Sequence, residues 1–217
     1  TKVMDLRSVL PSAVGFAARG SNARCIFDLP ESPLAAKIDK DQIAQVIQNL
    51  VINATQAMPQ GGSITVRAAA VTLGAGELAS LAGGGYARVS VEDQGPGIPP
   101  AHLARIFDPY FTTKTEGRGL GLSMCYSIMS RHGGHISAES KPGAGAVFTL
   151  HLPAANAADI PLQNERLTLA TGSGRVLIMD DDALVAKVLG RMLERLGYQT
   201  ETVRDGSAAL RACTKAM

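Results

Sequence analysis

DQIAQVIQNLVINATQAMPQGG, residues 41–62, sets two asparagines where an amphipathic helix ordinarily carries lysine or glutamate. On a 3.6-residue period Ile43, Ile47, Leu50, Ala54 and Met58 share one arc, and Asn49, Asn53 and Gln56 share a narrow opposite one. One face packs, and the other is left for chemistry or for plain contact with water. Asn is about 0.5 kcal/mol worse than Ala inside a helix, so two of them one turn apart are a modest sacrifice. A carboxamide carbonyl is a hard neutral oxygen, suited to a divalent cation that also takes phosphate oxygens. Both helix ends are marked. Asp39 with Gln42 three residues on reads as a capping pair, and Pro59 with Gly61 and Gly62 stops the helix after Met58.

A chain of 217 residues suits one domain or a domain and a half, and its 46% hydrophobic content supplies a core. With 4% aromatic residues and no Trp, that core is mostly aliphatic. The net charge of +2, without a basic run interleaved with aromatics, gives no ground for a nucleic-acid partner. Cys25, Cys125 and Cys213 lie far apart and outside metal-binding spacing, so reduced thiols and a cytoplasmic location are expected. No apolar run approaches the roughly 18 residues of a membrane span, and Thr1 opens on a charged, helix-like segment rather than a signal peptide. A soluble fragment of a longer polypeptide, without membrane contact of its own, is the expectation.

Residues 3–19 read as a helix interrupted near Pro11, and 24–28 as a short strand before a turn at Pro30 and Pro33. SITVRAAAV (63–71) alternates through Ile64, Val66 and Ala68, and YARVSVED (86–93) through Ala87, Val89 and Val91, which predicts two strands joined by a small-residue loop. The second runs into Asp93-Gln94-Gly95-Pro96-Gly97-Ile98-Pro99. This places a charged acceptor on a turn whose missing side chains admit a flat ligand, and an adenine exocyclic amine suits that acceptor. A purely structural turn fits the same residues. AHLARIF (101–107) predicts a short helix, and Phe107 to Lys114 a loop with an aromatic hinge. TEGRGLG (115–121) then opens the helix LSMCYSIMSRH, which Gly133 and Gly134 end. Glycines opening a helix leave free N–H groups and the positive dipole end where phosphates can sit, with Arg118 as a mobile charge. HISAES (135–140) and AVFTLHLP (146–153) read as a hairpin turned by Lys141-Pro142-Gly143. Helices and strands mix rather than alternate, so the reading is α+β and not a doubly wound parallel sheet.

Asn49…Asn53, Asp93-x-Gly-x-Gly, Phe107…Phe111 and Gly117-x-Gly-Leu-Gly stand in this order between residues 49 and 121, ahead of HGGHISAESKPGAGAVFTLHLP. Residues 1–153 closely resemble the catalytic, ATP-binding domain of sensor histidine kinases, within the superfamily of DNA gyrase B, the Hsp90 chaperones and the mismatch-repair ATPases. In that family the four clusters are the N, G1, F and G2 boxes. The resemblance implies a two-layer α/β sandwich, a mixed sheet covered on one face by three helices, binding ATP and Mg2+ under a flexible lid at about 99–121. Carried over, Asn53 would hold Mg2+, Asn49 would assist at the phosphates and Asp93 would take the adenine amine, with Gly95 and Gly97 admitting the base. Gly117, Gly119 and Gly121 would close on the triphosphate, Tyr110 and Phe111 would anchor the lid, and Thr149 would sit near the adenine through water. Gln56, Ala57, Ile98, Thr112, Thr113, Lys114, Arg118, Leu120 and Leu122 complete the expected nucleotide-binding set.

In the related ATPases a glutamate stands one turn before the magnesium asparagine; Asn49 stands there in this chain. A carboxamide is a poor general base at neutral pH, so hydrolysis should be slow. The resemblance therefore implies a protein histidine kinase of two-component phosphorelay signalling rather than a nucleotide-driven conformational clamp or a non-catalytic nucleotide sensor. The phosphoacceptor histidine is expected on a dimerisation hairpin outside this chain, since none of His102, His132, His135 and His151 carries the acceptor's flanking pattern. The fragment should bind ATP without phosphorylating itself.

Residues 154–174 lack periodicity and read as a linker. Arg175 to Met179 then read as a buried strand ending in Asp180-Asp181-Asp182, followed by a helix (183–196), a strand (199–203) and a helix after Asp205-Gly206. Three adjacent carboxylates repel one another unless a cation neutralises them, or else they complement the dipole of the following helix. Residues 175–217 resemble the first third of a response-regulator receiver domain, which implies that Asp180 and Asp181 hold Mg2+ and that the phosphorylated aspartate lies past Met217. Two strands and two helices should not bury their own sheet, so disorder, docking on the kinase domain or completion by another chain is expected.

Overall fold

Asp39 accepts the backbone N–H groups of Asp41 and Gln42, each at 3.1 Å, and starts the long helix that the rest surrounds. A computed structural model describes residues 1–78, 80–114, 118–161 and 172–216. The chain divides into two units, Thr1–Pro161 and Leu162–Met217. The first runs β1 (Lys2–Asp5), α1 (Leu6–Ala17), β2 (Ala23–Asp28), β3 (Ala35–Ile38), α2 (Lys40–Ala57), β4 (Gly62–Leu73), β5 (Gly84–Asp93), α3 (Pro100–Leu103), α4 (Gly121–Arg131), β6 (His135–Ser140) and β7 (Ala146–Pro153).

Five strands form one sheet in the order β2-β4-β5-β7-β6. β2 runs parallel to β4 and the other neighbours are antiparallel, so the sheet is mixed. Its inner face carries Ile64 and Val66 of β4, Ala87, Val89 and Val91 of β5, and Phe148, Leu150 and Leu152 of β7, all buried. Against it lie Val9 and Leu10 of α1, Ile43, Ile47 and Leu50 of α2, and Ile128 and Met129 of α4 in one core. α2 is the middle helix, in contact with α1 and α4. This is the expected α+β sandwich of a mixed sheet under three helices.

α4 is tied to α2 by His132, which the sequence marks only as lacking the acceptor's flanking pattern. The Asp39 N–H donates to Nε2 of His132 at 3.0 Å, which leaves the proton on Nδ1 to donate to the Ile128 carbonyl at 2.8 Å. One imidazole thus joins the start of α2 to the end of α4.

The N-terminal expectation needs correction. Residues 2–5 form β1, paired antiparallel with β3 from Lys2↔Ile38 to Asp5↔Ala35. Each strand has four residues, too few to show a period. Asp5 caps α1 through the N–H of Arg7 at 3.1 Å and takes the Leu34 N–H at the same distance. Pro11 lies exposed within α1 without ending it. α3 is also shorter than the expected 101–107, spanning Pro100–Leu103.

The second unit contains β8 (Arg175–Met179), α5 (Ala183–Arg195), β9 (Gln199–Val203) and α6 (Gly206–Ala216). β8 and β9 pair in parallel from Arg175↔Gln199 to Met179↔Val203. Ile178 and Ala186 are buried, whereas Met179, Leu184, Val188, Met192 and Leu210 are exposed. These elements form, yet leave much of their apolar surface uncovered. Among the described residues no helix is long and apolar enough to cross a membrane.

Candidate functional site

The polar face of α2, the turn after β5, residues 96–114 and 118–120 and the start of α4 enclose a cavity of about 540 Å3. From α2 it receives Asn49, Asn53, Gln56 and Ala57; from the turn, Asp93, Gly97 and Ile98. The lid contributes Phe111, Thr112, Thr113, Lys114, Arg118, Gly119 and Leu120, and α4 contributes Gly121 and Leu122. Gly117 lies outside the described residues.

Asp93 is 7% exposed, and its carboxylate accepts the Gly95 N–H at 2.8 Å. Burial raises its pKa, the amides of Gly95 and Ala146 pull the other way, and Glu92 adds a smaller upward push. A buried carboxylate facing a cavity is an acceptor for a donor-bearing ligand. At Gly95 an added Cβ would meet Asp93 Oδ1 at 2.9 Å and Ala57 Cβ at 3.1 Å, so a side chain there would crowd the carboxylate. Gly97 has a different constraint. Its φ is +75° and a Cβ would run into the Lys141 carbonyl, so glycine there serves the seating of the turn against the β6–β7 hairpin. Ser140 Oγ accepts the Ile98 N–H at 2.7 Å and donates to the Gly145 carbonyl at 2.6 Å, while the Gly143 N–H donates to Pro96 O at 2.7 Å. The hairpin therefore grips the Asp93 turn.

The lid is closed at its neck by backbone. Tyr110 N–H donates to the Gly119 carbonyl at 3.0 Å, and a Cβ on Gly119, whose φ is +66°, would collide with the Tyr110 backbone. Tyr110 itself has φ +65° and a side chain 76% exposed, so it anchors through its main chain and not its ring, and it does not line the cavity. Phe111 is the aromatic anchor, with the His102 ring edge-on at 5.6 Å and the Arg105 guanidinium 4.9 Å from its centroid. Lys114 Nζ donates to Asn53 Oδ1 at 2.9 Å and to Gln56 Oε1 at 2.5 Å, and desolvation lowers its pKa. Asn49 Nδ2 reaches Gly121 O at 3.5 Å and Cys125 Sγ at 3.7 Å, which turns its amide nitrogen toward α4. Burial pushes the Cys125 thiol up to about 11, so it stays protonated.

Thr149 is misplaced by the sequence reading. Ala146 and Phe148 line the cavity, and one residue on Thr149 takes the opposite sheet face between Ser90 and Ser137. The two-residue alternation of β7 carried that signal. Ile52, Pro96, Pro99, His102 and Ile106 also line the cavity and were not anticipated. They are apolar or weakly polar groups at positions that no motif fixes, brought in by α2 and the segment after β5.

The profile described as histidine kinase-, DNA gyrase B-, and HSP90-like ATPase matches residues 38–156, from the end of β3 past β7. The chain belongs to this family. The sensor kinase CckA of Brucella abortus is 36% identical over 225 residues, a match covering 96% of this chain and 24% of that protein. The sensor histidine kinase ZraS of Klebsiella oxytoca is 37% identical over 153 residues, covering 69% of this chain and 31% of its own. The chain thus spans between about a quarter and a third of the length of these relatives. The catalytic domain of the histidine kinase ThkA superposes with a TM-score of 0.57 at 32% identity, covering 70% of this chain and 94% of that one. Full-length ShkA in complex with AMPPNP gives 0.58 at 25% identity, over 96% of this chain and 42% of that one.

Outside the family match, Asp182 caps α5 through the Leu184 N–H at 2.8 Å, and Asp180 accepts the Asp182 N–H at 2.9 Å. At least one of the three carboxylates therefore serves the helix start. Among the described residues no group of three or more His, Cys, Asp or Glu is placed to hold a metal ion.

Proposed function

We propose that residues 1–161 are the ATP-binding catalytic domain of a hybrid sensor histidine kinase, which passes the ATP γ-phosphoryl group to a histidine on a dimerisation hairpin outside this chain. The carrying observation is that Asn53 and Asp93 line one cavity, under a lid that starts beyond Asp93 and returns at Gly121. Asp93 takes the adenine amine at the buried end, where Ala57 and Gly95 leave room only for a flat group. Asn53 offers its carbonyl to Mg2+, and the donor set fits, since that oxygen already accepts a cationic group. Asn49, Arg118 and the N–H groups around Gly119 and Gly121 meet the phosphates. The metal supplies charge neutralisation on the phosphates; the protein's part is to position the γ-phosphorus in line with the incoming imidazole nitrogen. One P–O bond breaks, one P–N bond forms, and ADP leaves.

Asp93 is the single carboxylate lining the cavity among the described residues, and Asn49 stands where a base for water activation would be needed. That supports transfer over hydrolysis. For the second unit we propose the N-terminal part of a receiver domain, with Asp180 and Asp181 as its metal-binding pair and an aspartate beyond this chain as the relay acceptor. The parallel β8–α5–β9 order with acids at the end of β8 supports it, as does a CckA match that extends over both units.

The test is calorimetric titration with Mg2+ and AMPPNP. Asp93→Ala removes a charged acceptor worth about 1.5–3 kcal/mol, so affinity should fall ten- to hundredfold with the melting temperature nearly unchanged. No binding by the parent chain, or equal binding by the variant, overturns the reading.

A further inference from the structure

The ammonium of Lys114 reaches down from the lid onto two neutral carboxamide oxygens, Asn53 Oδ1 at 2.9 Å and Gln56 Oε1 at 2.5 Å, three residues apart on the polar face of α2. An ammonium ordinarily seeks carboxylate or water. Two amide oxygens converging on it form a small oxygen site for a cation, and all three residues line the cavity. The oxygen it holds is the one assigned above to Mg2+, so the inference rests on that assignment.

We propose that Lys114 is a built-in substitute for the divalent cation. Its ammonium occupies the Asn53 oxygen until a metal–nucleotide complex displaces it, and when nucleotide arrives without metal it stays and bridges α2 to the phosphates. Two consequences follow from charge alone. The metal must compete with a tethered cation for Asn53, which offsets part of the affinity that the metal would otherwise add. Metal-free nucleotide, whose phosphates would otherwise face unneutralised carbonyl oxygens, retains a positive partner. Lys114 in this role positions and neutralises; it does not take part in bond making. The Tyr110–Gly119 backbone neck and the packing of Phe111 keep the preceding stretch of lid close to α2, which holds the ammonium at high local concentration.

The experiment is titration of the full chain with AMPPNP, once with Mg2+ and once with EDTA, for the parent protein, Lys114→Met and Lys114→Gln. In both neutral variants the metal-free affinity should fall at least tenfold further than the Mg2+-dependent affinity, so the ratio of the two constants widens at least tenfold, about 1.4 kcal/mol. Lys114→Arg, which keeps the charge, should hold the ratio within about threefold of the parent. Equal losses with and without metal would make Lys114 an ordinary phosphate ligand and overturn the proposal. No change in either condition would make it a surface lysine and overturn it too. A parent chain that binds no Mg2+–AMPPNP strikes the assignment of the site itself, which separates that failure from this one. Far-UV circular dichroism on each variant confirms that the comparison is between folded proteins.

Discussion

His151 shows how one residue can carry a pH dependence. It is 7% exposed, its Nδ1 has no partner among the described residues, and it stands across the strands from Arg88 on β5 and His135 on β6, with Glu77 in the β4–β5 loop adding a weak opposing charge. Burial first, then the neighbouring His135 and Arg88, lowers its pKa. The folded state thus keeps the ring neutral where the unfolded chain, near the ordinary value of 6.5, takes up a proton. More protons bind the unfolded state in that window, so stability falls as pH drops through 6.5 and levels off below the depressed folded value. Urea unfolding between about pH 5 and pH 8 should show this fall, and His151→Gln should flatten it. An unchanged slope in the variant would assign the acid sensitivity elsewhere. Asn49, Asn53 and Asp93, which line the cavity, stand out at this scale because each belongs to a motif with fixed spacing. The Lys114 ammonium was legible only as a charge; its contact with α2 joins residues 61 and 58 positions apart.

Among the elements, the lid is the one whose neck is closed by a backbone hydrogen bond, between Tyr110 and Gly119. Gly119→Ala introduces a Cβ against the Tyr110 backbone at a φ of +66°, where an L side chain is strained by roughly 1–2 kcal/mol before any clash. The neck between Tyr110 and Gly119 must open, carrying Lys114 away from α2. None of these residues belongs to the fully buried core, so thermal unfolding should move by no more than about 2 °C while AMPPNP affinity falls at least fivefold. A matching loss of core stability would show instead that the lid is part of the folding unit. Long periodic elements such as α2, β4, β5 and β7 were readable from the chain. β1 and β3 were not, because four residues show no period and their pairing bridges the whole of α1 and β2. Thr149, which the resemblance implies near the adenine through water, does not line the cavity, as the alternation of β7 puts it on the face opposite to Ala146 and Phe148.

At the scale of the whole molecule, the first unit contains the five-stranded sheet, its three covering helices and every described residue of the cavity. A chain ending at Pro161 should therefore unfold in one cooperative transition, with a melting temperature within about 2 °C of the same transition in the full chain, and bind Mg2+–AMPPNP within about twofold. Loss of binding on removing the second unit would show that residues 162–217 take part in the site. Among its described residues the second unit has no comparable core: Leu184, Val188 and Met192 of α5 are exposed beside a two-stranded sheet.

By itself the amino-acid sequence determined the α+β class, the ends of α2, the order of the four clusters and the identity of the buried acid, since all of these are written in local period, capping and spacing. Tertiary structure alone decided that Ser140 and Gly97 seat the Asp93 turn on the hairpin, that Tyr110 anchors by backbone, that His132 joins α2 to α4, and that Lys114 rests on Asn53. Each of these is a contact of a few ångströms, and all but the Tyr110–Gly119 bond join residues distant along the chain. Such contacts exist only once the sheet and the helices have packed, and no local pattern records them.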